Sequence, residues 1–360
     1  MTKRFAVIMA GGKGERFWPL STSKHPKQLL ALVGDKPLIA QAVERLDGLV
    51  PPANIFVVTN ADLVDATRAA APMLPPANVV GEPVGRDTAA AVACGGALVA
   101  ARDPAAVFAV LTADQVMGDL DVFRATLSGG MKLAEENDIL VTIGIQPSFP
   151  STGFGYIESG DKFASAENVE FRKAVRFVEK PDEARAKQYI ETGKFFWNSG
   201  MFIWSVKSLA RAFELHCPEM KSLMDELSAF ASRGEIVQGM EKTYPLLKKI
   251  SVDYALMEKA DNIVMACGTF AWDDVGSWPA LESHFAQDAG GNTLIGNCEQ
   301  IDSKNNIIYS KDRLTAVIGA ENLVVVQADG VTLVCPKDRA QDIKKMVVAL
   351  REKGTFEEIL

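Results

Sequence analysis

Between Met9 and Gln28 the chain reads MAGGKGERFWPLSTSKHPKQ, a stretch that sets Lys13, Arg16, Lys24 and Lys27 against one acid, Glu15. In a chain of net charge −8 this local concentration of positive charge needs a cause. Closely spaced glycines free backbone N–H groups to face an anion, so the amides from Ala10 to Gly14 (Ala10, Gly11, Gly12, Lys13, Gly14) suit a triphosphate. Arg16 adds a planar guanidinium fork matched to phosphate oxygens, and Lys27 adds a point charge.

The same stretch excludes two common phosphate loops. A dinucleotide fingerprint needs GxGxxG opening directly into a helix. Gly12 and Gly14 fit, but Phe17 occupies the third glycine position and Pro19 pushes Trp18 out of helical space. No GK[ST] is present, so a P-loop is excluded too. The loop is expected to run on as an extended, irregular segment, which argues against an NAD(P)-dependent oxidoreductase.

The elements that must hold this loop are legible as alternating periodicities. RFAVIMA, NIFVVT, NVV, AVFAVLT and ILVTIGI read as strands, and LIAQAVERL, TAAAVACGGALVAA and Phe123 to Glu136 read as helices, the pattern of βα units on a mostly parallel sheet. After Pro147, GFGYI, VEFRKAVRFVEKP and WNSGMFIWSV read as strands of a mixed layer, and MKSLMDELSAFASRG as a helix. A break falls at QDAGGN, beyond which TLIGN, NNIIYS, NLVVVQADG and VTLVCP are short strands followed by the helix RAQDIKKMVVALREKG. The expected fold is therefore α/β, a Rossmann-like mixed, mostly parallel sheet over residues 1–287, with a small β-rich, β-helix-like domain over 288–360 that ends in a helix. Ile343, Met346, Val347 and Leu350 have the spacing of one buried stripe. The short strands must pack on the main domain or on a partner chain, which admits a homodimer through the C-terminal domain. Truncation near residue 288 is expected to cost solubility or assembly before it touches the phosphate chemistry.

The opening resembles the signature of sugar-nucleotide pyrophosphorylases, AGGxGxR followed by PKxL, and FWPLS…PKQLL is similar to the mannose-1-phosphate guanylyltransferase branch of that family. The resemblance continues in family order through EPVGRDTAAAV (Glu82 to Val92), LTAD (Leu111 to Asp114), TGFGYI (Thr152 to Ile157), FVEKP (Phe177 to Pro181), WNSGMF (Trp197 to Phe202) and WDDVGSW (Trp272 to Trp278). The ordered set carries it, rather than any one motif. Two departures stand out: Ser21-Thr22 replaces a frequent Ser-Arg, removing one positive charge, and Asp87-Thr88-Ala89-Ala90 replaces a frequent Asn-Thr-Ala-Pro.

The resemblance implies nucleotidyl transfer, GTP + α-D-mannose 1-phosphate giving GDP-mannose + diphosphate, with Mg²⁺. Such chemistry asks little covalent work of a protein; positioning and charge neutralisation carry it. Arg16 and Lys27 are the implied catalytic cations. Glu82, Arg86, Asp87, Thr88 and Asp114 join the glycine loop in binding the nucleotide. Asp114 ends a buried strand, where ligands of open α/β sheets bind, and Asp274 lies beside Gly276; these two carboxylates suffice for a hard cation that keeps several waters. Asp274 is preferred to Asp273 because it occupies the family's Asp-Val-Gly position. Glu179, Lys180 and Asn198, with Gly153 and Gly155 flanking Phe154, are the implied sugar-phosphate site.

Other readings stay in view. A pyrophosphorylase for glucose 1-phosphate with UTP or dTTP shares the class, and a non-catalytic nucleotide-sugar sensor shares the fold, although a sensor has no need of Arg16, Lys27, Asp114 and Asp274 together. The four tryptophans Trp197, Trp204, Trp272 and Trp278 read as core. His25, His216 and His284 form no cluster along the sequence. The composition, 48% hydrophobic and 23% charged over 360 residues, is that of a globular protein, and the negative balance speaks against nucleic acid or anionic membrane as partner. FAVIMA is too short for a signal-peptide core and no run of about 18 apolar residues occurs. The five cysteines are scattered and never spaced CxxC, so reduced thiols and a cytoplasmic location are expected. No isomerase domain of the kind fused to longer relatives follows the β-rich region, so isomerisation is not expected.

Overall fold

A computed structural model describes residues 3–12, 14–354 and 356–360. The chain divides into two compact units, one of Met1–Gly11, Ala42–Ala113 and Met117–Trp272, the other of Gly12–Gln41, Asp114–Val116 and Asp273–Leu360.

The first unit is built on a nine-stranded sheet. Its strands are β1 (Arg4–Ala10), β2 (Ile55–Asn60), β3 (Val79–Glu82), β4 (Val107–Thr112), β5 (Leu140–Ile145), β6 (Tyr156–Ala166), β7 (Val169–Val178), β8 (Phe195–Ser205) and β9 (Ile263–Gly268). They lie in the order β3-β2-β1-β4-β8-β5-β9-β7-β6, and all except β7 and β8 point the same way. The strands β1, β2 and β4 are apolar at nearly every position because helices and sheet bury both of their faces. The alanine-rich helix Thr88–Arg102 buries every residue from Ala89 to Val99 in a core shared with Val7, Phe56 and Phe108. Small side chains there let the helix lie close to the sheet.

The first-half strand and helix expectations fit these elements within a residue or three. The helix Val64–Ala70 comes from a stretch with no assigned element, and further differences come later in the chain. GFGYI is strand only from Tyr156, so Gly153 to Gly155 stay in a loop, and the strand read at WNSGMFIWSV ends at Ser205, where the Ser205 side chain caps a helix Val206–His216. The strand β9 and the helices Glu183–Thr192 and Ile236–Thr243 come from stretches with no assigned element.

The second unit contains four strands, β10 (Thr293–Ile301), β11 (Ile307–Ile318), β12 (Leu323–Ala328) and β13 (Val331–Pro336). The first three are parallel, with Thr293 facing Ile307 and Ile307 facing Val324, so they stack as rungs; β13 closes the sheet antiparallel. Buried Asn306 donates to Asn292 Oδ1 at 2.8 Å and Asn292 donates to the Ser303 carbonyl at 2.8 Å, which satisfies the backbone at the turns.

The core of this unit joins the basic loop to the end of the chain. Phe17, Trp18, Leu20 and Leu32 are buried with Trp278, Ile307, Val324, Ile343, Val347 and Leu360. Phe17 meets Trp278 at 5.4 Å between ring centroids, Trp18 Nε1 donates to the Ile359 carbonyl at 2.8 Å, and Arg351 pairs with Glu15. The terminal helix Ile343–Lys353 thus buries Ile343 and Val347, while Met346 of the expected stripe faces solvent. The tail thus supplies the apolar floor of the loop within this unit. Among the described residues no helix is long and apolar enough to cross a membrane.

Candidate active site

In the second unit the loop turns at Gly14, whose φ of 61° is left-handed and where a Cβ would lie 2.4 Å from that of Lys27. Only glycine meets both demands. Ser21 Oγ fastens the turn by donating to the Gly14 carbonyl at 2.6 Å. Arg16 follows in a short 3₁₀ turn, exposed, with Nη1 donating to the Gly276 carbonyl at 3.0 Å. Lys27 is 5% exposed, and its Nζ donates to Asp114 Oδ2 at 3.1 Å and to the Asp274 carbonyl. Lys13 lies outside the described residues.

Burial pushes the Asp274 carboxyl up from its ordinary value; Lys27 and Arg16 oppose this, while Asp273 and Asp114 add to it. Arg16, Lys27, Asp114 and Asp274 therefore form one electrostatic cluster with alternating signs. Asp273 is occupied differently. Its Oδ1 accepts from Val275 N–H at 2.7 Å, and its Oδ2 meets His284 Nε2 at 2.9 Å and Ser283 Oγ at 3.3 Å. Burial alone would raise this carboxyl, but His284 and Val275 outweigh it and hold Asp273 below its ordinary value. Val275 itself is buried with φ of 44°, a strained conformation for a β-branched residue, held directly after Asp274.

In the first unit the carboxyl ends of β1, β2 and β3 bring Ala10, Asn60 and Glu82 to one edge of the sheet. A Cβ on Gly11 would lie 3.7 Å from Glu82 Oε2 and 4.0 Å from Asn60 Oδ1. Glu82 is 6% exposed, and among the described residues its buried Oε1 has no hydrogen-bond partner. Burial raises its carboxyl to about 7, with nearby Tyr244, whose hydroxyl donates to the Ala90 carbonyl at 3.1 Å, pulling the other way. The rest of the EPVGRDT stretch is engaged locally. Arg86 donates to the carbonyls of Tyr244 at 2.8 Å and Pro245 at 2.7 Å, Asp87 caps the helix that begins at Thr88, and Thr88 Oγ1 accepts from Val252 N–H at 2.8 Å.

A second cluster of the first unit gathers the expected sugar residues. A Cβ on Gly155 would lie 2.6 Å from Glu179 Oε2, so a side chain at this position would displace the carboxylate. The Gly155 carbonyl accepts from Asn198 N–H at 2.8 Å, and Lys180, at a left-handed φ of 43°, pairs with Glu179 at 2.9 Å. Gly153 stands apart on Ser151 Oγ, 3.2 Å from its N–H. Phe154 packs on Trp197 at 5.0 Å and on Trp272 at 5.3 Å. Trp197, Trp204 and Trp278 are core; Trp272 is half-buried. Two partners of these clusters carried no sequence signal: Asp253, which accepts from Asn198, and Tyr244, which reaches Glu82.

A family profile described as nucleotidyl transferase matches residues 5–290, and one described as MannoseP isomerase/GMP-like beta-helix domain matches residues 296–350. Mannose-1-phosphate guanylyltransferase of Escherichia coli is 36% identical over 357 residues, 98% of this chain and 74% of the relative. Alginate biosynthesis protein AlgA of Pseudomonas syringae pv. tomato is 35% identical over 98% of this chain and 72% of its own length. Among solved structures, mannose-1-phosphate geranyltransferase from Thermus thermophilus superposes with a TM-score of 0.86 at 36% identity, covering 97% of this chain and all of that one.

Proposed function

The chain belongs to the nucleotidyl transferase family, and on that premise we propose that it joins GTP and α-D-mannose 1-phosphate to give GDP-mannose and diphosphate. A phosphate oxygen of the sugar phosphate forms the new bond to the α-phosphorus, the bond from that phosphorus to the bridging oxygen breaks, and diphosphate carries the electron pair away. The observation that carries this reading is the cluster of Arg16, Lys27, Asp114 and Asp274 inside a chain similar along its length to guanylyltransferases.

Each residue has a defined task in the proposal. Lys27 Nζ has three N–H donors, two of them spent on Asp114 and the Asp274 carbonyl, and the third faces a phosphate oxygen. Arg16 spends one N–H on the Gly276 carbonyl and keeps its fork for the charge that develops on diphosphate. The amides of the glycine loop and Glu82, Arg86, Asp87 and Thr88 hold the nucleotide. Glu179 and Asn198 take the sugar hydroxyls and Lys180 its phosphate.

Asp114 and Asp274 fit a magnesium ion. Burial, with Asp273 and Asp114 adding, raises the Asp274 carboxyl, which a divalent cation would offset, and both donors are hard oxygens. Among the described residues no group of three or more His, Cys, Asp or Glu side chains converges, in keeping with a cation that completes its shell with water and substrate phosphates. When bound, Mg²⁺ would neutralise phosphate charge in the transition state.

The five cysteines are free thiols, which supports a reducing, cytoplasmic setting. Ile301, Leu314, Ile318 and Val334 are exposed on the β-rich region and support a homodimer through it. Diphosphate release measured with four nucleoside triphosphates against several sugar 1-phosphates tests the reaction. GTP with mannose 1-phosphate is expected to give the highest kcat/KM; a higher value for UTP or dTTP with glucose 1-phosphate would overturn the assignment.

A further inference from the structure

Asn198 has both ends of its amide engaged. Its Nδ2 donates to Asp253 Oδ1 at 2.8 Å, and its Oδ1 accepts from Gly200 N–H at 3.3 Å and from Thr142 Oγ1 at 3.4 Å. An amide held this way cannot exchange its oxygen and nitrogen, because a flip would set donor against donor. Among the described residues the second Nδ2 proton has no partner, so it is left to donate to a hydroxyl. Asp253 opens a π turn, Asp253–Met257, of which Ala255, Leu256 and Met257 are buried.

Charge makes the arrangement directional. Burial, then the neighbouring Glu179, pushes the Asp253 carboxyl up to about 6, with the Asn198 hydrogen bond opposing. Glu179 also raises Glu258, after burial, and Lys180 is held protonated first by its hydrogen bond to Glu179, with Tyr254 and Asp253 adding. Carboxyl groups crowded in this way are good acceptors for neutral hydroxyl donors, with Lys180 the cation beside them. Asn198 and Glu179 approach each other across Gly155, which contacts both.

We propose that Asp253 is a positioning residue for sugar recognition: it locks the Asn198 amide and, beside Glu179, fixes the donor and acceptor pattern that reads the configuration of adjacent hydroxyls in a hexose 1-phosphate. The inference rests on the reading of Glu179 and Asn198 as sugar contacts. It makes Asp253 a determinant of epimer choice without a role at the reacting phosphorus.

Initial rates of diphosphate release are measured for the intact chain and for Asp253→Asn, Asp253→Glu and Asn198→Ala, varying GTP, mannose 1-phosphate and glucose 1-phosphate separately. Asp253→Asn removes the charge from the hydrogen bond and should raise the KM for mannose 1-phosphate about tenfold. It should leave the KM for GTP within about twofold and narrow the preference between the two epimers, which a loss of general stability would not do. Should Asp253→Asn fail to fold, Asp253→Glu, which keeps the charge but displaces it by one methylene, carries the same two readouts. An unchanged sugar KM and epimer preference in the folded Asp253 variant, alongside a raised sugar KM in Asn198→Ala, overturns the role of Asp253 and leaves the sugar site standing. An unchanged sugar KM in Asn198→Ala overturns the sugar site and this inference with it.

Discussion

Around Lys27 cation and carboxylate alternate, whereas around Asp253 carboxyl crowds carboxyl. In the first region Lys27 and Arg16 offset Asp114 and Asp274. In the second, burial, with Glu179 adding, pushes up both Asp253 and Glu258. The supports differ as well. The Lys27 region rests on aromatic and aliphatic side chains from the tail of its own unit, and the Asp253 region on a hydrogen bond between side chains of β8 and a π turn. A site with balanced charge can accept a polyanion and a metal together, and a carboxyl-rich site favours neutral donors. In the function proposed above, the first region is assigned phosphate transfer and the second sugar choice.

The sharpest way to break the comparison is to remove a carboxylate from the charge-balanced cluster. Asp274→Asn and Asp114→Asn should each lower kcat by at least about a thousandfold while leaving the fold intact, because a divalent ion contributes several kcal/mol of charge stabilisation. Diphosphate release at saturating Mg²⁺ and circular dichroism check both points. Asp273→Asn serves as the control: with its oxygens on Val275 and His284, it should show in thermal stability more than in Mg²⁺ dependence.

Next in size is Arg16→Ala, expected to cost roughly 10²–10³ in kcat, the scale for one preorganised electrostatic group. Intact kcat with a raised KM for GTP would make Arg16 a uniform binding residue instead. A smaller effect, on stability, tests the floor of the loop. Trp18→Ala should cost about 3 kcal/mol in denaturant unfolding, since Trp18 is 6% exposed and bonded to the Ile359 carbonyl. Removal of the terminal helix should then lower phosphate chemistry as well as solubility.

The last predicted effect concerns pH. Glu82 has its folded-state pKa raised to about 7. The proton it holds in the folded state contributes stability that is fully present below the unfolded value and lost as pH rises through about 7. Glu82→Gln, which cannot ionise, should therefore be more stable than the parent by up to about 3 kcal/mol at pH 8 and nearly equal to it at pH 4. Thermal unfolding at the two pH values checks this; a gap of the same size at both would place the effect in packing rather than ionisation.

The buried parallel strands were legible because both faces are covered: FAVIMA and VFAVLT are apolar at every position or nearly so. The three-residue offset at the helix before Glu136 and the missed strand Ile263–Gly268 have a common reason, namely that the deciding partners are distant in sequence. The motifs pointed to Glu179 and Asn198, but Asp253 meets Asn198 across 55 residues, and ISVDYALMEK has no spacing that announces it. The strain at Val275 and the burial of Lys27 are likewise tertiary facts. Linear reading also placed the basic loop with the strands before it, although Phe17 and Trp18 share their core with the end of the chain.

The most direct test of the division between phosphate transfer and sugar choice is a pair of variants in one assay. Diphosphate release is measured for Lys27→Ala and Asn198→Ala with GTP and mannose 1-phosphate varied independently. Lys27→Ala should lower kcat by about a hundredfold or more with the KM for mannose 1-phosphate little changed. Asn198→Ala should raise the KM for mannose 1-phosphate about tenfold with the KM for GTP unchanged. The reverse pattern, in which Asn198→Ala weakens GTP and Lys27→Ala weakens only the sugar phosphate, would contradict the account.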